Sequence, residues 1–92
     1  MNYEKISSTL YLDSTSHKFA KAPTHYDVGY LKINSWVNDL CYHYIQKMKS
    51  DEQEFLEILK QQKIKVDSLK SGIYKDGMVK ALEDAELIIS KK

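Results

Sequence analysis

The chain contains no arginine, and all 14 of its basic residues are lysine. Without the planar guanidinium fork it cannot read guanine edges or clamp carboxylates in the paired way that fork allows, which weighs against sequence-specific DNA binding and phosphoryl transfer. Codon usage in an AT-rich genome accounts for the same absence and comes first as its explanation. Cys41 is the single cysteine, so no internal disulfide and no four-cysteine zinc site can form. There is one proline, Pro23, and there are three glycines. No phosphate-cradling glycine loop is present, and no apolar run approaches the length of a membrane span. Residues 1–20 lack the apolar core of a secretory signal, and a reducing cytoplasm is the expected compartment.

What is present belongs to a folded domain: 42% hydrophobic and 29% charged residues with a net charge of +1. A charge so near zero does not draw the molecule to nucleic acid or to an acidic membrane surface. A chain of 92 residues fits one domain. It buries only about three fifths of the surface it exposes when unfolded, so a partner or copies of itself are expected to add stability.

From Asp27 the apolar residues recur at threes and fours. Tyr30, Ile33, Val37, Leu40, Cys41, Tyr44 and Met48 share one stripe, which predicts a helix to about Lys49 with Asp27 as its cap. Ser50-Asp51-Glu52-Gln53 reads as a capping box opening a second helix. Its stripe is Phe55, Leu59, Gln62, Val66, Leu69 and Ile73, and Gly72 suits a left-handed C-cap. Acidic Asp51, Glu52, Glu54 and Glu57 precede basic Lys60, Lys63, Lys65 and Lys70, as the helix dipole favours. The same gradient would let two copies pair antiparallel. Asp76 can cap a third helix carrying Met78, Leu82, Ala85 and Ile89, ending near Ser90 before two solvated lysines.

Residues 1–26 hold Ser7, Ser8, Thr9, Ser14, Thr15 and Ser16 together with His17, Pro23 and His25, and show no sustained helical period. They read as an irregular arm packed on the bundle, with Leu10 and Leu12 as a conceivable short strand. The expected fold is therefore all-α: a three-helix antiparallel bundle over 27–92 with an N-terminal arm over 1–26.

Cys41 and His43 lie about 200° apart on a helix and cannot grip one metal ion. Cys41, on the stripe, reads as a buried core thiol unless His17 or His25 of the arm reaches it. Tyr42 and His43 lie off the stripe. Seven tyrosines offer stacking area for an interface or a nucleobase, or simply fill a small core. Lys18, Lys21, Thr24, His25 and Tyr26 around the proline can meet phosphate oxygens and stack on a ring. Lys80 and Asp84 form an i, i+4 pair with Glu83 beside them. No catalytic set, metal or cofactor is expected.

Ala22-Pro23-Thr24, then Trp36-Val37-Asn38-Asp39-Leu40-Cys41, then Lys80-Ala81-Leu82-Glu83-Asp84-Ala85 follow one another in an order that resembles the small helical phage proteins sequestering the cyclic nucleotide signals of CBASS immunity, in particular their T4-like branch. The resemblance implies a homo-hexamer that binds cyclic di- and trinucleotides without hydrolysing them. On that reading Tyr26 stacks on a base, Lys21, Thr24 and His25 approach phosphate, and Lys80 and Glu83 line the pocket. The other class of function open to the sequence is a protein-interaction module, such as a phage or plasmid inhibitor or adaptor of a host protein.

Overall fold

The structure is a computed structural model, and it describes residues 1–90; the two terminal lysines lie outside the described residues. The chain forms four helices: α1 (Tyr3–Lys18), α2 (His25–Gln46), α3 (Glu52–Asp67) and α4 (Ile73–Ser90). The all-α class is as expected, but the helices number four, and the arm over 1–26 is mostly a helix. The short strand at Leu10 and Leu12 is replaced by helix as well.

Residues read as helix breakers turn out to serve α1. Asn2 caps it, its side chain accepting from the Lys5 N–H at 3.0 Å. Ser8 and Thr9 donate back to the carbonyls of Glu4 and Lys5, and Ser14 donates to the carbonyl of Tyr11, so these hydroxyls are satisfied inside the helix. The buried stripe is Tyr3, Ile6, Leu10 and Ser14, a helical period carried partly by a serine. Buried Asn34 ties α1 to α2, donating to the Leu10 carbonyl at 2.9 Å, and Ser7 donates to Asn38.

Helix α2 begins earlier than Asp27. Thr24 is the cap and Asp27 the third helical residue, and their side chains and backbone satisfy each other in a capping box. The expected stripe is buried except for half-buried Leu40 and exposed Met48. Met48 instead ends the helix, with a φ of 53°. The Lys49 N–H reaches the Tyr44 carbonyl and the Met48 N–H the Ile45 carbonyl, a Schellman arrangement in which glycine is the usual residue. Met48→Gly is therefore expected to stabilise the protein by about 1 kcal/mol, because it relieves the left-handed penalty of a residue whose side chain is exposed. Urea denaturation of the two proteins checks this.

Asp51, not Ser50, caps α3, which stops at Asp67 with Ser68 as its C-cap rather than at Gly72. Gly72 does not take a positive φ, and Ile73, assigned by periodicity to the second helix, opens α4 three residues before Asp76. Tyr3 lies against Tyr44 and His17 against Tyr30, so α1 and α2 run antiparallel. Phe55 joins Tyr3 and Tyr44, with ring centroids 5.0 and 5.2 Å away, and fastens the start of α3 to that end of the bundle. The Tyr3 hydroxyl, buried among these rings, has no hydrogen-bond partner among the described residues.

Helices α2 and α4 cross where two glycines meet the opposite backbone. A Cβ on Gly29 would stand 2.1 Å from the Tyr74 carbonyl oxygen, and one on Gly77 would stand 2.0 Å from that of Tyr26. Only hydrogen fits at either position. This crossing sets the first turns of α4 beside the first turn of α2, where the candidate site lies.

Candidate functional site

The end of α1 and the starts of α2 and α4 bring together a chain of polar and aromatic groups. His17, in the last turn of α1, holds its Nδ1 2.7 Å from Asp27 Oδ1 and stacks on Tyr30 with ring centroids 3.9 Å apart. Tyr26 flanks the same imidazole at 6.0 Å. The other oxygen of Asp27 accepts from the Thr24 N–H at 2.9 Å and from the Thr24 hydroxyl at 3.1 Å. The Tyr30 hydroxyl donates to Asp84 Oδ2 at 2.6 Å, and Lys80 Nζ sits 3.2 Å from Asp84 Oδ1.

The electrostatics follow from these partners. The Thr24 N–H and then His17 hold the Asp27 carboxyl below its ordinary range. Burial, reinforced by the Asp84 carboxylate, pushes the Tyr30 phenol well above its usual value, so it stays a donor. Asp84 raises the Lys80 ammonium, and Glu83 and Tyr26 add to the effect from nearby.

The structure thus brings Tyr26, Lys80 and Glu83 into one neighbourhood. Thr24 is there too, but its hydroxyl is engaged in the capping box. Lys21 and His25 are exposed on and just after the connection between α1 and α2. The centre of the site is formed by residues that their sequence positions mark only as part of the arm (His17), a helix cap (Asp27) and a stripe residue (Tyr30). A signal existed in His17 lying fourteen residues after Tyr3, four helical turns along the stripe that includes Ile6, Leu10 and Ser14.

No family model, curated protein or solved structure matches the chain.

Cys41 is fully buried, and burial pushes its thiol up to about 11. It lies three turns of α2, about 16 Å along the axis, from Tyr30 and the His17 cluster. His17 faces Asp27 and Tyr30 instead. Tyr42 and His43 are exposed and Trp36 is half-buried against the core. Among the described residues no group of three His, Cys, Asp or Glu side chains could hold a metal ion, and no helix is long and apolar enough to cross a membrane.

A second polar group closes the opposite end. The Tyr44 hydroxyl donates to Glu54, and Lys49 Nζ lies 2.8 Å from the same carboxylate and over the Tyr44 ring. Lys49 and then Tyr44 lower the Glu54 carboxyl. Both Asp27 and Glu54 are therefore weaker bases in the folded chain than in the unfolded one. Below the ordinary carboxylate range, near pH 4, the unfolded chain takes up more protons, so the stability they contribute is present at neutral pH and lost as pH falls through their lowered values. Thermal melts should fall once the pH drops below about 4, and Asp27→Asn should reduce that acid slope.

Proposed function

We propose that the protein is a non-catalytic binding protein, and that it takes a compound joining planar bases to phosphates, of the cyclic oligonucleotide class, at the end of the bundle around Tyr26. The observation that carries this reading is Tyr26 beside the stacked rings of His17 and Tyr30, with the Tyr30 hydroxyl and Lys80 sharing the Asp84 carboxylate and Glu83 next to Asp84 in the chain. Half-buried Tyr26 offers a ring face to a base, a contact worth about 1–3 kcal/mol. Glu83 can accept from an exocyclic amino group of that base. Exposed Lys21 and His25 are the groups left to approach the phosphates. The pairing of Lys80 with Asp84 leaves phosphate recognition mainly to Lys21 and His25.

Thermal melts with a panel of cyclic di- and trinucleotides test the reading. A ligand at a hundred times its Kd stabilises the folded state by about 2.7 kcal/mol, which raises the Tm of a domain this size by about 14 degrees. The shift should disappear in Tyr26→Ala. Indifference to every nucleotide would contradict the proposal and favour the second reading, a protein-interaction module. That alternative has its own support in the outer side of α1 and its C-cap, where Tyr11, Leu12 and Phe19 are 51%, 67% and 71% exposed.

A further inference from the structure

Helix α4 packs along α2 but meets α1 and α3 only lightly, and its last turns lie between two grooves. The groove toward α1 has a volume of about 660 Å³ and an apolar lining that includes Ile6 and Ile88, with Lys5, Asp13 and Asp84 among its polar residues. The groove toward α3, of about 510 Å³, is lined by Leu56 and Leu59 together with Lys60, Lys63 and Glu86. Met1 and Ile89 line both, so the two grooves join there as one apolar channel. This channel takes up large apolar side chains that the core leaves outside. Leu56, which adjoins the buried stripe of α3, is 41% exposed, and Leu87 on the α1 side is 55% exposed.

The two ends of the channel differ in charge. Toward α3 there are two lysines and one glutamate; Glu86 lies 3.4 Å from Lys63, and Lys60 has no hydrogen bond or ion pair among the described residues. Toward α1 there are two aspartates and one lysine, and both aspartates are already engaged, Asp84 by the Tyr30 hydroxyl and Lys80. An ammonium without a partner beside an apolar channel of ligand size suits an amphiphile with a negative head.

We propose that the channel binds one unesterified long-chain carboxylate, its head at Lys60 and Lys63 and its tail crossing Met1 and Ile89 to reach Ile6 and Ile88. The reverse orientation would bring the carboxylate toward Asp13 and Asp84. Met1, half-buried and unbranched, can shift to admit the chain. Every two methylenes taken from water tighten binding by roughly tenfold, so affinity follows chain length. Ile89 lies about 18 Å along α4 from Gly77, which packs on Tyr26, so the channel is separate from the nucleotide site proposed above.

Calorimetric titration with dodecanoate at low salt, below its micelle concentration, tests the assignment, with octanoate and dodecyltrimethylammonium as comparisons and thermal melts of the same mixtures. Dodecanoate should bind saturably, one to one, with a raised Tm, and at least about tenfold more tightly than either comparison. Lys60→Glu should weaken dodecanoate about fivefold while the free protein melts as before, and Lys5→Glu and Tyr26→Ala should each leave the affinity within about twofold. No saturable binding, an ammonium compound bound as tightly as the carboxylate, or a loss of affinity in Lys5→Glu in place of Lys60→Glu would each overturn the proposal.

Discussion

Gly29→Ala or Gly77→Ala is expected to lower stability by about 3 kcal/mol. The added Cβ would meet backbone, the carbonyl of Tyr74 or of Tyr26, and at Gly77 the Tyr30 nitrogen as well at 2.9 Å. Backbone cannot rotate aside as a side chain can. The two helices must separate by an ångström or more, and the packing of Tyr30, Met78 and Ala81 around the crossing loosens with them. Helix propensity works in the other direction, favouring alanine by about 1 kcal/mol, so the sign of the result decides which effect wins. The double variant should cost less than the sum, because one separation relieves both contacts. Urea denaturation measures all three. A stabilised Gly29→Ala would contradict the close crossing. The same displacement should carry Lys80 away from Tyr26, so that ligand affinity falls in these variants more than the loss of folded protein accounts for.

The second large effect is at Phe55. This ring is fully buried between Tyr3 and Tyr44, and replacing it by alanine should cost about 4 kcal/mol, the transfer of the ring plus the cavity left behind. The loss should be uneven. Apart from Phe55, α3 buries only Leu59 and Val66, whereas α2 and α4 are locked by their crossing. Native-state hydrogen exchange of Phe55→Ala should therefore show α3 amides losing protection well ahead of those of α1, α2 and α4. Protection falling equally in all four helices would mean that α3 is an integral part of a single cooperative unit.

The parts of this fold legible in the sequence are those held by apolar periodicity. Tyr30, Ile33, Val37, Cys41 and Tyr44, and likewise Met78, Leu82, Ala85 and Ile89, lie where their spacing puts them. Helix α1 was obscured because Ser14 and Ser7 occupy positions that periodicity expects to be apolar; the Ser14 hydroxyl is satisfied by the Tyr11 carbonyl one turn back, and that of Ser7 by Asn38 of α2, a partner distant in the sequence. Gly77 read as a tolerable residue of a first turn; its need arises from a helix fifty residues away in the chain. The boundary between α3 and α4 was misplaced because Leu69 and Ile73 continue the period of α3 after its hydrogen bonds have stopped. At the candidate site the Lys80–Asp84 pair was legible from its spacing. The joining of Asp84 to Tyr30 and of His17 to Asp27 was not, because each bond spans separate helices.

The most direct measurement is a titration of isotope-labelled protein with cyclic di- and trinucleotides, followed by amide chemical shifts. Saturable shifts concentrated at Lys21, His25, Tyr26, Lys80 and Glu83, abolished by Tyr26→Ala, are expected. A spectrum unchanged by every cyclic nucleotide, or shifts confined to the outer side of α1 around Leu12 and Phe19, would contradict the proposed function.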